Sequence, residues 1–367
     1  MIMEPGQMRT NIDKIKVGNV RCNVLLGLLT IIALLLVACN ATTLSIQSPT
    51  TTPRADDLSE TQAATLSSLK KIDDHPLYTM RYVGAYDTRA SLTEPWIASL
   101  PSPLATPAWA CSLFAALGDA SNMFYGRNFD WEHSPAVLLF TEPPNGYASV
   151  SMVDIAYLGF NGTHADNLTE LVLVERRALL RAPFLPFDGM NARGLTIGMA
   201  AVPDGQMKND PSKPTIDLLM IIRKILDSAA NVDEAIALFQ QYNISMDGGP
   251  PLHYLVADQT GRAALIELFQ GKMIVIPNED KSLQATNFLQ SSIDNPVGQC
   301  WRRDTIAQRL AQTGGRVNAR DAMQLLRDVS QRNTEWSIVY GMTTGEIDVT
   351  MGRQYNSPHR FTLALTR

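Results

Sequence analysis

From Cys111 onward, short β-rich runs stand in two blocks on either side of a helical centre. "MFYGRNF", "AVLLFT", "YASVSMV" and "GLTIGMAAV", the last after a turn at "FDGMN", form the first block. "TIDLLMIIRKILDSA" is apolar at helical spacing. "NVDEAIALFQQY" opens on Asn231 with Glu234 three residues on, a capping-box pattern. "HYLVADQTGRAALIEL" reads as a hairpin closed by a glycine-containing turn, and "KMIVIP" adds a strand. "RRDTIAQRLAQ" and "NARDAMQLLRDVS" read as helices, and "WSIVYGMTTGEIDVTMG" and "RFTLAL" close the chain as strands. Strand blocks around a helical centre predict α+β layers.

The 367 residues are 45% hydrophobic and 18% charged, so the chain can bury a real core. Net charge is −5 with no long basic run past the N-terminus, which argues against nucleic acid as a partner. The cysteines are Cys22, Cys39, Cys111 and Cys300; none forms a CxxC pair, and no HExxH or Walker-type loop occurs. Neither a metal site nor a nucleotide site is therefore expected.

Arg9, Lys14, Lys16 and Arg21 precede the apolar run "VLLGLLTIIALLLVAC". The run is shorter than the roughly 20 residues of a spanning helix and reads as a secretory signal. Its end, Leu-Val-Ala-Cys, resembles a bacterial lipobox, with Cys39 the lipidated residue. This predicts an extracytoplasmic protein, lipid-anchored to the bacterial cell membrane. Residues 40–75 read as a Thr/Ser/Pro-rich flexible tether, within which 58–71 could form a short amphipathic helix. Residues 76–110 read as a propeptide segment that includes the exposed loop "PSPLATP", and 111–367 as the functional domain. Cys111 and Cys300 are left in the mature part and could pair.

Cys111 is the candidate nucleophile. A thiol attacks only as thiolate and needs help to ionise. None of the five histidines sits in a recognisable Cys-His context. A cut between Ala110 and Cys111 would supply a base, because the α-amine it frees has a pKa of about 8.

The cysteine followed by "GRNFDW", with Arg127 sixteen and Asp130 nineteen residues after it, resembles the opening of the choloylglycine hydrolase family. That family belongs to the N-terminal-nucleophile hydrolases. It includes bile salt hydrolases and penicillin V acylases, and is related to acid ceramidase and N-acylethanolamine acid amidase. The resemblance implies that Arg127 holds a positive charge beside the sulfur and that Asp130 accepts a hydrogen bond from the freed amine. Alternation along a strand puts Arg127 and Phe129 on one face and Asp130 on the other, which predicts an irregularity near Asp130. "FDGMNARGLTIGMAAV" resembles the family's turn and strand, with Ala201 where bile salt hydrolases carry a site Asn. Ala201 could offer only its backbone N–H to an oxyanion. "QATNFLQ" resembles the family's Thr-Asn segment and makes Asn287 the side-chain oxyanion donor. "CWRRDTIAQRL" resembles the segment whose arginine opens a helix beside the nucleophile; Arg303 is the choice, with Arg302 close behind.

The resemblance implies a four-layer αββα sandwich of two antiparallel sheets. It implies hydrolysis of a linear, non-peptide amide of an N-acyl small molecule through a thioester, after self-cleavage between Ala110 and Cys111. No metal or cofactor enters that chemistry, and the cleaved propeptide stays bound as a partner. Two other readings stay open: an acyltransferase on the same scaffold, and a non-catalytic ligand-binding surface lipoprotein. Loops 134–147 and 159–167, with Leu138, Phe140 and Phe160, are expected to line a lipophilic pocket. His253, Cys300 and Trp301 read as structural or core residues, and Asn191 as a turn residue.

Overall fold

The computed structural model describes residues 58–86, 110–246 and 249–366. The signal region, Cys39, the first part of the tether and the "PSPLATP" loop lie outside the described residues.

Two sheets carry the fold. The larger has nine strands in the order β1 (Lys70–Asp73), β2 (Leu77–Tyr82), β5 (Ala136–Thr141), β6 (Ser149–Asp154), β7 (Asp188–Asn191), β8 (Thr196–Ala201), β11 (Leu252–Ala257), β12 (Ala263–Phe269) and β13 (Lys272–Pro277). The smaller has six, in the order β14 (Ser282–Ala285), β3 (Ala110–Ala116), β4 (Phe124–Asp130), β15 (Thr334–Gly341), β16 (Glu346–Met351) and β17 (His359–Thr362). A short parallel pair, β9 (Thr215–Asp217) with β10 (Asn243–Ser245), stands apart from both sheets.

The alternation along β3 and β4 explains the layering. Leu113, Ala115, Tyr125 and Phe129 project into the main core between the sheets. Phe114, Ala116 and Phe124 project the other way, onto Ile306, Leu310, Met323 and Leu326 of two helices. Ile306 and Leu310 sit at i, i+4 and Met323 and Leu326 at i, i+3, so each helix buries one stripe. The α+β sandwich is thus bounded by helices 220–228 and 232–241 on the nine-stranded sheet and by 301–312 and 319–328 on the six-stranded one. Asn231 caps the second of these by accepting from the Glu234 N–H at 3.0 Å, as its capping pattern predicts.

Several expectations need correction. The sheets are not wholly antiparallel, because β2 pairs parallel with β5 from Leu77↔Ala136 to Tyr82↔Thr141. Residues 58–75 do not form a flexible tether. Ser59 caps a helix over Glu60–Ser67 through a capping box with Gln62, and a strand follows at Lys70–Asp73. Leu66, Leu77, Tyr78 and Met80 are buried in the main core. Burying each such side chain contributes about 1.5–3 kcal/mol, so this segment is a structural part of the domain. "FDGMN" is strand β7 at Asp188–Asn191, and the turn comes after it, where Gly194 takes φ +70°. Leu138 and Phe140 are strand residues buried in the core, not pocket loops. Cys111 and Cys300 are both free thiols.

Candidate active site

Cys111 lies one residue inside β3, 1% exposed, opposite Phe129 of β4. Its thiol faces the space between the sheets. Arg127, two residues along β4 from Phe129, is on the same side, with Nη2 3.7 Å from Sγ. The guanidinium is held from four directions. Nη1 donates to Asp188 Oδ2 at 2.6 Å; Nε and Nη2 donate to the Met199 carbonyl at 3.3 and 3.2 Å. Its carbon sits 5.0 Å from the Phe129 ring centroid and 5.8 Å from that of Trp336, a cation–π arrangement. Asp188 also accepts from the Tyr340 hydroxyl at 2.5 Å, so both charges are paired without solvent. Gly198 clears the way: a Cβ there would lie 2.8 Å from the Tyr125 hydroxyl and 3.3 Å from Arg127 Cδ.

Asp130 points to the opposite side, as alternation requires. Thr334 donates to its Oδ1 at 2.5 Å and Gln331 to its Oδ2 at 2.7 Å, with Arg302 Nη1 at 3.4 Å. Burial raises the carboxyl's pKa, against the pull of Thr334, Gln331 and Arg302. The irregularity expected near Asp130 is on the neighbouring strand. β4 pairs regularly with β3 up to Asp130↔Ala110, while β15 carries Glu335 as an extra residue between Thr334 and Trp336. That bulge keeps Thr334 opposite Asp130.

The Cys111 peptide unit is gripped at both ends. Its N–H donates to Asn287 Oδ1 at 2.7 Å, and its carbonyl accepts from Arg302 Nη1 at 2.6 Å. Arg302 Nη2 donates to the same Asn287 oxygen at 2.9 Å. Two donors on that oxygen fix the amide orientation, so Nδ2 donates to the Ala201 carbonyl at 2.8 Å. The Val202 N–H bonds Pro251, which makes the neighbouring Ala201↔Leu252 pair a non-hydrogen-bonded one. The Ala201 N–H therefore points away from β11, on the same side as the carbonyl that meets Asn287.

The structure thus brings Cys111, Arg127, Asp130, Asn287 and the Ala201 backbone together, and it corrects two sequence expectations. Arg302, not Arg303, reaches the cysteine: consecutive helical residues diverge by about 100°, and Arg303 bonds Asp304 at 3.2 Å instead. In the continuous chain the Cys111 nitrogen bonds Asn287 rather than Asp130. Asp188, Gln331, Thr334 and Tyr340 were not legible as site residues. Asp188 lies in "FDGMN", which reads as a turn in the sequence, so its buried strand position had no local signal.

Burial raises the Cys111 thiol pKa; Arg127 and Arg302 oppose that shift and Asp130 adds to it. Burial thus favours the thiol over the thiolate in the continuous chain. Of the residues read as structural, His253 is buried and 3.2 Å from Glu267, and Asn191 ties its turn to helix 220–228 by donating to Leu226 and Ala229. Trp301 is not core but 58% exposed.

Residues 111–287 match the family model "Linear amide C-N hydrolases, choloylglycine hydrolase family". Among solved structures, two variants of conjugated bile acid hydrolase from Clostridium perfringens each align at 15% identity and TM-score 0.50, over 69% of this chain and 92% of theirs. Penicillin V acylase from Agrobacterium tumefaciens aligns at 15% identity and TM-score 0.47, over 68% of this chain and 84% of its own. No curated protein sequence matched. The fold matches that of the bile acid hydrolase structures, and the stretch that begins at Cys111 is similar to the choloylglycine hydrolase family, which indicates a hydrolase acting on linear amide C–N bonds.

Proposed function

We propose that this enzyme is a cysteine amidohydrolase that cuts its own chain between Ala110 and Cys111 and then hydrolyses an N-acyl small-molecule amide through a thioester. The observation that carries the reading is the double grip on Cys111, by Asn287 at its N–H and Arg302 at its carbonyl, with Arg127 beside its sulfur.

In the first stage the thiol of Cys111 adds to the Ala110 carbonyl, the peptide C–N bond breaks, and Cys111 nitrogen takes the proton that sulfur gives up. Water then cleaves the resulting thioester. The peptide N–H has one hydrogen, which Asn287 accepts; the amine has more, so Asp130 can accept one after the cut. In the second stage the amine takes the thiol proton and the thiolate attacks the substrate carbonyl. Asn287 Nδ2 and the Ala201 N–H hold the oxyanion, and Arg127 steadies the charge on sulfur. The leaving amine departs with the proton, and water releases the acid.

The 58–86 segment remains attached after the cut on this reading. Its strand β2 pairs along six residues with β5, Tyr78 donates to the Ala165 carbonyl at 2.6 Å, and Arg176 donates to the Leu66 carbonyl at 3.3 Å. A lipid on Cys39 would then hold the whole enzyme at the outer face of the cell membrane.

The test is to incubate cleaved protein with a panel of N-acyl amides, quench, and map the acyl adduct by mass spectrometry. An adduct on the peptide that begins at Cys111, with release of free acid, supports the reading. Free acid without any dependence on Cys111 contradicts it. Acyl transfer to an added amine in place of water would instead make the enzyme an acyltransferase.

A further inference from the structure

We propose that His75, His133 and Glu335 form a site for a divalent transition-metal cation of the zinc class, which fastens the segment before Cys111 to the domain after it. The three side chains come from distant parts of the sequence. His75 lies in the turn between β1 and β2, His133 follows β4, and Glu335 is the extra residue of the β15 bulge. Their ligand atoms all lie within 4.8 Å of one another. His75 Nε2 is 3.0 Å and His133 Nδ1 3.4 Å from Glu335 Oε2. A tetrahedral zinc-class ion with bonds of about 2.0–2.1 Å separates its ligand atoms by about 3.3 Å, so little movement is needed.

The surroundings hold these ligands in place. The His75 N–H donates to Asp73 Oδ1 at 2.8 Å, and the other oxygen of Asp73 meets His359 Nε2 at 2.6 Å. The Glu335 carbonyl accepts from the Gly352 N–H at 2.8 Å, and Ser134 N–H donates to Glu335 Oε2 at 3.2 Å. Gly352 is part of the cradle: a Cβ there would lie 2.6 Å from His75 Nδ1. The two imidazole rings meet edge to face with centroids 4.6 Å apart.

Access is open. The His133 side chain is 58% exposed. His75 and Glu335 also border a polar cavity of about 730 Å³. Arg327, Arg332 and Arg353 line the same cavity. They are exposed, so solvent and salt screen their repulsion of a cation. Their charge suits an anion in the fourth coordination position, which two histidines and one carboxylate leave open. None of the three ligands takes part in amide cleavage as proposed above, so the site does not depend on that reading.

The experiment titrates cobalt(II) into metal-free, untagged full-length chain and follows visible absorption, with zinc(II) as competitor. Wild type is compared with His133→Ala, Glu335→Gln, Cys111→Ala and Cys300→Ala. His133 is the key variant, because its exposure makes its loss harmless to folding; thermal unfolding without metal checks this. The proposal expects one equivalent of tetrahedral cobalt, displaced by zinc. Affinity should fall about 10-fold or more in His133→Ala and Glu335→Gln and stay at the wild-type value in both cysteine variants. No binding by wild type, binding indifferent to His133→Ala, or binding lost with either cysteine would overturn it.

Discussion

The two faces of strand β4 differ in kind. On the inner face Arg127 is closed in by Asp188, Met199, Phe129 and Trp336, all without solvent. On the outer face Asp130 meets Thr334, Gln331 and Arg302, polar groups that lead toward the surface and the arginine-lined cavity. The inner face fixes a charge beside the sulfur, and nothing there can rearrange cheaply. The outer face holds the backbone of Cys111 through exchangeable hydrogen bonds. That suits the proposed self-cleavage, in which the Cys111 nitrogen changes from amide to amine.

Substitutions can break or sharpen this contrast. The largest effect is expected from Arg127→Met, which leaves Asp188 buried without its cation and should cost about 3–5 kcal/mol of stability. Urea unfolding measures it, and a loss below about 1 kcal/mol would mean the inner face is not closed. Asn287→Ala should lower turnover about 100- to 1,000-fold with much less effect on stability. Steady-state kinetics beside the same urea titration separates the two. Arg302→Ala should slow self-cleavage about 10-fold or more, since it removes charge-assisted bonds to Cys111 and Asn287. Arg303→Ala should change that rate little; time courses of the cut chain compare them, and equal effects would undo the assignment of Arg302.

The smallest effect concerns pH. Asp130 has its folded-state pKa raised by burial. Between about pH 4 and that raised value, the folded chain therefore binds more protons than the unfolded one. Stability contributed by Asp130 thus falls as pH rises through that window. In a Cys111→Ala background, which keeps the chain whole, Asp130→Asn should remove this slope. A slope unchanged by Asp130→Asn would show that Asp130 is ionised throughout.

How much of this was legible in the sequence follows from the range of the interactions. Cys111, Arg127 and Asp130 lie within twenty residues on one hairpin, where a period of two fixes their faces. Helices with an apolar stripe and a cap, such as Val232–Gln241, were equally readable. The partners that complete the site were not: Asp188 reaches Arg127 across the two sheets, and Gln331 and Thr334 reach Asp130 from two hundred residues away. Choosing between Arg302 and Arg303 required the rotation of their helix against β3, which no local pattern records. The tether expectation failed for a related reason. The helix expected within 58–71 is there at Glu60–Ser67, but what makes the segment part of the domain is long-range, the pairing of β2 with β5 and the burial of Leu66, Leu77, Tyr78 and Met80 in the main core.

The most direct test of the account is the mass of the protein itself. Intact mass spectrometry and N-terminal sequencing of the purified extracytoplasmic part, wild type beside Cys111→Ala, would show whether the chain is cut. The account predicts a wild-type fragment that begins at Cys111, still associated with the 58–86 segment, and an uncut Cys111→Ala chain. A wild-type chain that stays whole yet hydrolyses N-acyl amides, or a variant cut at the same bond, would contradict it.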